Sequence, residues 1–280
     1  MQADSYGSFA VFGAGLIGAP IARALCARGA AVLVVVRPGQ QIPTLPGAAV
    51  REIVCTDFAA IAQALVEHAV QVVISTMSAA DASTQNALAS AAQMAGVALF
   101  VPSEFGVVTD GMADYAGTIG KYLALHLNTI GLPFARFYVG FFMETIPAMT
   151  GLSVNGKINV AGYGNMSCSF TASDDLAGFL AHVLTTLSPQ ELFNRTFRLQ
   201  GDRSTISGLA VLFGTEVEYV EKIPGQMGEV WTRLQMAAEC GAASTGWNRQ
   251  LRAEGEECAG CTNHLWEGHE WTTIKAFYKL

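Results

Sequence analysis

Residues 8–25 read SFAVFGAGLIGAPIARAL, and place Gly13, Gly15 and Gly18 at GxGxxG spacing. A short apolar run precedes them and an apolar pattern of helical period follows. In a strand–turn–helix of this kind each glycine has a separate task. The first permits the tight turn, the second lets the backbone approach a pyrophosphate, and the third lets the helix pack closely. The helix N-terminus adds unpaired N–H groups and a partial positive charge. Leu16 and Ile17 sit inside the loop and are counted with the glycines as expected dinucleotide contacts. A glycine-rich turn without a ligand is the competing reading, and the strand-and-helix setting weighs against it.

The next apolar run, AVLVVV at 31–36, ends in Arg37. A site specific for NAD carries an acidic residue there, bonded to the ribose hydroxyls. A guanidinium instead suits a 2′-phosphate, with charge-assisted bonds in a fork geometry. No carboxylate stands beside Arg37 to repel that phosphate, so NADPH is the expected cofactor. The alternative is a solvated charge at a strand end. Further on, Cys258, Cys261, His264 and His269 approach the spacing of a small zinc knuckle. Such knuckles stand in basic, independent modules, whereas this group closes an acidic chain. The expectation is an ordinary surface loop with no metal.

The elements that must position these residues follow from periodicity. Strand-like runs occur at 8–13, 31–36, 49–54, 71–75 and 97–101, with helical patterns at 16–28, 58–67 and 82–95 between them. The run at 31–36 is continuously apolar, as in a parallel strand covered on both faces. This alternation predicts an α/β, Rossmann-type doubly wound parallel sheet. Beyond residue 106 it loosens. VVTDGMADYAGTIG at 107–120 reads as a loop, KYLALHLNTIG as a helix ending at Gly131, and LPFARFYVG as a strand. A further helix is expected at 173–187. Cys26 is placed in a helix, Cys55 at a strand end and Cys168 in a loop, while Cys240 stands alone. The expected organisation is a nucleotide-binding domain over 1–140 and a smaller C-terminal substrate-binding region over 141–280, interleaved in one fold.

Composition excludes several classes. The 280 residues carry a net charge of −7 and no run of five basic residues, which argues against nucleic acid. Apolar runs such as AAVLVVV are too short to span a bilayer. The opening MQADSYGS lacks the features of a secretory leader. A cytoplasmic protein with reduced cysteines and a small-molecule substrate is expected, and a homodimer is compatible with this reading.

The segment LFVPSEFG at 99–106, taken with Lys121, resembles the NmrA-like and isoflavone reductase-like families, atypical relatives of the short-chain dehydrogenases. FYVGFF at 137–142 and FTASDDLAGFLAHVL at 170–184 extend the likeness over almost the whole chain. Two departures stand out. Phe12 occupies the first glycine of the family's usual GxxGxxG loop. Gly117 stands four residues before Lys121, where ordinary short-chain dehydrogenases have a tyrosine, and the nearest preceding tyrosine is Tyr115.

The resemblance implies that Lys121 opens a helix and acts as general acid/base without that tyrosine. A lysine partly desolvated beside a cationic nicotinamide would exchange a proton near neutrality. The bland alternative is an exposed lysine at a helix start. The resemblance also implies cofactor contacts at Thr76, Met77, Pro102, Ser103, Tyr138, Gly140 and Phe141, and at Lys121 itself. Asp57, read as ending the third strand, would meet the adenine amine or form a turn. Glu104, Phe105, Phe142 and Met143 are expected beside the substrate, with Glu104 orienting Lys121 or capping a turn. Aromatic runs of this kind also serve as core, and the four tryptophans have packing as their simpler use. The resulting reading is an NADPH-dependent reductase of a small aromatic or conjugated metabolite. Its rivals are a non-catalytic NADP(H)-sensing regulator and a non-redox enzyme on the same fold.

Overall fold

The computed structural model describes residues 5–77, 82–110, 115–256 and 258–280. In chain order the first elements are β1 (Ser8–Phe12), α1 (Gly18–Ala27), β2 (Ala31–Val36), β3 (Ala48–Glu52), α2 (Phe58–Glu67), β4 (Val72–Ser75), α3 (Ala82–Met94), β5 (Leu99–Val101), α4 (Tyr115–Thr129) and β6 (Ala135–Tyr138). Then follow β7 (Phe141–Phe142), α5 (Ile146–Met149), α6 (Leu152–Asn155), β8 (Ile158–Val160), β9 (Ser167–Thr171), α7 (Ser173–Thr186), α8 (Pro189–Leu192) and β10 (Arg195–Arg198). The chain closes with β11 (Asp202–Thr205), α9 (Leu209–Phe213), β12 (Val217–Tyr219), α10 (Gly228–Glu239), β13 (Trp247–Asn248), β14 (Ala253–Glu254) and α11 (Ile274–Tyr278).

These elements form two compact units. One comprises Met1–Glu104, Met112–Arg136 and Leu176–Phe197; the other comprises Phe105–Gly111, Phe137–Asp175 and Arg198–Leu280. The first unit is built on a five-stranded sheet of order β3-β2-β1-β4-β5, parallel throughout. Ala10, Phe12, Leu33 and Val35 face one side, in a core shared with Ile61 and Leu65 of α2, Leu88 of α3 and Leu123 and Leu127 of α4. Alternate strand residues point to the opposite face, and Phe9, Val11 and Val34 there have no exposed surface. Burial on both sides explains why these strands read as unbroken apolar runs. This is the doubly wound parallel sheet expected from the sequence.

The second unit has its own core, in which Phe141, Met143, Ile146, Ile158, Cys168 and Phe170 are buried together with Ile206, Leu209 and Ile274. Here β9 lies between β11, to which it is antiparallel, and β7, to which it is parallel. Cys168 is therefore a strand residue rather than a loop residue. Burial, with Glu239 nearby, pushes its thiol up to about 12, which keeps it neutral and unreactive.

One expectation about the middle of the chain needs correction. The segment read as a loop over 107–120 is helical from Tyr115 onward, while residues 111–114 lie outside the described residues. Gly117 and Gly120 have low helix propensity, but burying Leu123 and Leu127 of the same helix outweighs it. Among the described residues, no helix is long and apolar enough to cross a membrane.

Candidate functional site

The strand ends of the first unit converge on a cleft of about 310 Å³. Gly13, Gly15, Arg37, Thr76 and Met77 of the expected cofactor set line it together. In open α/β sheets, ligands bind beyond the carboxyl ends of the strands, and this cleft occupies that position.

The glycine loop is shaped by close backbone packing. Gly13 has φ of +105°, and a Cβ there would lie 2.8 Å from Thr76 Oγ1. A Cβ on Gly18 would lie 2.2 Å from the carbonyl oxygen of Gly13. Over Gly15, by contrast, a Cβ would meet nothing within 4 Å. Two of the glycines therefore pack the turn and the third leaves an open approach to the backbone. Thr76 fastens the turn from the neighbouring strand, with its N–H and its hydroxyl each donating to the Phe12 carbonyl at 2.9 Å. No side chain caps the N-terminus of α1. Leu16, Ile17 and Gly18 stand at that helix entry and are not part of the cleft lining.

Arg37 follows the last residue of β2 and is exposed. Among the described residues it makes no ion pair. No carboxylate adjoins it in sequence, but the sheet supplies one. β2 and β3 pair in parallel with Val36 opposite Glu52. The Glu52 carboxylate accepts a hydrogen bond from the Gly39 N–H at 3.1 Å. The sequence shows no carboxylate beside Arg37 among its chain neighbours; the sheet adds Glu52, whose carboxylate is engaged by Gly39, two residues beyond Arg37.

Asp57 also differs from expectation. β3 ends at Glu52, and Asp57 is the N-cap of α2, where its Oδ1 accepts from the Ala60 N–H at 3.0 Å. Asp57 is a helix cap, a role that satisfies an orphan backbone donor. Ile53, Cys55 and Gln40 line the cleft on this side, and sequence periodicity had singled out none of them as contacts. Their signal is positional, since each lies just past the end of a strand.

Pro102 and Ser103 follow β5 directly. The Ser103 hydroxyl donates to the Met77 carbonyl at 2.7 Å, and its N–H donates to Gln85 Oε1 at 3.0 Å. Ser103 thus braces the backbone at the cleft wall. Pro102 is buried and Glu104 half-buried. Lys121 does not open its helix; it is the seventh residue of α4, and its side chain is exposed rather than desolvated. The side chain of Tyr115 lies outside what the structure describes.

The remaining expected site residues belong to the second unit. Val139 and Gly140 each donate a backbone hydrogen bond to the Gly106 carbonyl at 3.0 Å. Phe105 packs against Phe137, with ring centroids 6.2 Å apart. The Tyr138 hydroxyl is 3.1 Å from Thr109 Oγ1, and the Arg198 guanidinium lies 5.6 Å from the Tyr138 ring centre. Gly140 has φ of +72°, and a Cβ there would fall 2.1 Å from the Ser169 carbonyl oxygen. Phe141 packs on Phe170 at 5.9 Å, and Phe142 is buried. Met143 has no exposed surface, and its carbonyl accepts from the Tyr278 hydroxyl at 2.5 Å. Phe141 and Met143 are members of this unit's core.

The cysteine and histidine residues near the C-terminus have partners of their own. His264 Nδ1 is 2.7 Å from the Cys261 carbonyl, and His269 Nε2 is 3.0 Å from Asp175 Oδ1. Trp266 stacks on the His269 ring at 3.6 Å, and Trp271 meets Trp266 edge-on. Among the described residues, no group of three or more His, Cys, Asp or Glu side chains is placed to hold a metal ion. Protein purified without added zinc is expected to contain no stoichiometric metal, and its melting temperature to be unchanged by a chelator. Elemental analysis and a thermal melt check this; zinc with a chelator-sensitive fold would overturn it.

A model of the NmrA-like family matches residues 7–277. The chain belongs to the NmrA-like family. No curated protein matches it by sequence. Solved structures of similar fold include the leucoanthocyanidin reductase–NADPH complex of Vitis vinifera, at 19% identity and a TM-score of 0.76, covering 98% of both chains. AtPrR2 with NADP+ and (+)pinoresinol aligns at 20% identity and a TM-score of 0.73, over 100% of this chain and 99% of that one. An NADPH-dependent quinone oxidoreductase from Escherichia coli aligns at 19% identity and a TM-score of 0.74, over 97% and 98%. At these identities the likeness establishes the fold of this NmrA-like chain.

Proposed function

We propose that this NmrA-like protein is an NADPH-dependent reductase acting on a small aromatic or conjugated molecule. One observation carries the reading: the cleft past the strand ends joins an open backbone approach over Gly15 to an unneutralised Arg37. A pyrophosphate fits the first feature and a 2′-phosphate the second. The names of the similar structures, two with NADPH or NADP+ and one of an NADPH-dependent oxidoreductase, support the same choice.

In this reading bound NADPH supplies a hydride, and the chain supplies binding, orientation and a proton. Backbone N–H groups of the Gly13–Gly18 loop hold the pyrophosphate. Gln40, Ile53 and Cys55 face the adenosine side, and Ser103 keeps Met77 and Pro102 in place. Lys121 manages the proton at the substrate oxygen, with Glu104 orienting it, and the covering substrate removes water from the amine. By the family resemblance Tyr138, Gly140 and Phe141 would meet the nicotinamide and Phe105 and Phe142 the substrate, with Met143, which has no exposed surface, supporting Phe142 from the core. Residues 1–140 then serve chiefly the nucleotide and 141–280 the substrate.

The exposure of Lys121 favours a second reading, a regulator that binds NADP(H) and passes that state to a protein partner. NADPH oxidation against a panel of aromatic and enone substrates, paired with a binding titration, separates the two. Turnover supports the reductase; tight binding without turnover supports the regulator.

Selectivity offers a direct check. NADPH is expected to bind more tightly than NADH by about 2–3 kcal/mol, the scale of hydrogen bonds to charged groups. That corresponds to roughly 30- to 150-fold. Arg37→Asp should abolish or reverse the preference in a titration of both cofactors. Equal affinities in the wild type would remove the argument for a 2′-phosphate site.

A further inference from the structure

We infer that Glu52 is a positioning residue that sets the preference for a 2′-phosphate, an inference that rests on the dinucleotide reading of the cleft. Arg37, Pro38, Gly39 and Gln40 form a tight turn, closed by a hydrogen bond from the Gln40 N–H to the Arg37 carbonyl at 3.1 Å. Gly39 adopts φ of +73°, a conformation that glycine takes at little cost. Both side chains that this turn delivers to the cleft, Arg37 and Gln40, depend on its shape.

Glu52 is what ties the turn to the sheet. It ends β3 opposite Val36, the residue before Arg37, and the Ile53 N–H donates to the Val36 carbonyl at 2.9 Å. From that fixed point its Oε2 accepts the Gly39 N–H at 3.1 Å. Pro38 has no N–H and the Gln40 N–H is already used within the turn. The Gly39 N–H is therefore the donor through which a neighbouring side chain holds the tip of the turn. The same bond decides where the carboxylate goes. A carboxylate free at the end of the adjoining strand could pair with an arginine and cancel the charge a phosphate needs. Bound to Gly39 instead, Glu52 holds the turn while Arg37 remains unpaired.

The acceptor, more than the charge, is thus the working feature, and two substitutions separate them. Glu52→Ala removes both; Glu52→Gln keeps an oxygen acceptor and removes the charge. NADPH, NADH and adenosine 2′,5′-bisphosphate are titrated against the wild type and each variant, with thermal melts confirming folding. Glu52→Ala is expected to weaken NADPH and the bisphosphate roughly 3- to 10-fold, a modest loss fitting one exposed hydrogen bond, and NADH less than 2-fold. Glu52→Gln should bind NADPH at least as well as the wild type, since a like charge has gone. The inference is overturned if Glu52→Ala binds NADPH undiminished, if it weakens both cofactors equally, or if Glu52→Gln is as poor as Glu52→Ala. A wild type that binds neither cofactor overturns the dinucleotide reading itself, an outcome the wild-type titration alone reveals.

Discussion

Lys121→Ala is expected to bind NADPH nearly as well as the wild type and to turn over roughly 10²–10⁴ times more slowly, the usual scale of a lost general acid/base. Binding survives because the phosphates are held by the Gly13–Gly18 backbone and Arg37, none of which touches α4's seventh residue in this reading. Lys121→Arg should be nearly as poor, since a guanidinium does not release its proton near neutral pH. Single-turnover oxidation of bound NADPH on a confirmed substrate, beside a cofactor titration, checks both variants. Full activity in Lys121→Ala would remove the lysine from the chemistry and leave another acid or water in its place. A regulator would show no turnover in either form, and partner binding would follow the nucleotide instead.

The second large effect belongs to Gly18. In Gly18→Ala the new Cβ would stand 2.2 Å from the Gly13 carbonyl oxygen and 2.6 Å from Thr76 Oγ1. The first neighbour is backbone, pinned by the Gly13 N–H to Val35 carbonyl bond at 2.9 Å, so it cannot swing aside. Helix α1 must then back away from the turn. Overpacking of this kind costs about 1–3 kcal/mol of stability. Displacing the phosphate-binding N–H groups by about an ångström should lower NADPH affinity by roughly 10²-fold or more. Gly15→Ala makes the control, because its Cβ meets no protein atom: its melting temperature should stay near that of the wild type while NADPH binding falls. Thermal melts with and without NADPH separate the two effects. A Gly18→Ala protein with native stability and native affinity would contradict the packing described for this turn.

The parallel sheet was legible in the chain because its strands are covered on both faces. AVLVVV and VVIS carry no alternation to confuse them with an amphipathic strand, and GxGxxG marks the turn between the first strand and its helix. The start of α4 was not legible, since Gly117 and Gly120 argue locally against a helix that Leu123 and Leu127 stabilise only by burial elsewhere. Asp57 misled for a related reason. A polar residue after an apolar run can end a strand or begin a helix, and only the Ala60 N–H decides between them. Cys168 sits in a short stretch of small and polar residues, SCSFT, whose strand character comes from pairing with β11 and β7.

The sequence by itself determined the fold class and the phosphate loop, because both depend on local features: apolar runs of strand length and glycines where no Cβ fits. Only the tertiary structure decided what surrounds Arg37. Parallel pairing sets Val36 against Glu52, sixteen residues onward in the chain, and so brings a carboxylate to the one turn where its charge matters. It also decided that the same carboxylate goes to Gly39 rather than to Arg37. Charge neighbours in a sheet are chosen by register, and register is set by which faces are buried, a property of the assembled strands rather than of any one of them.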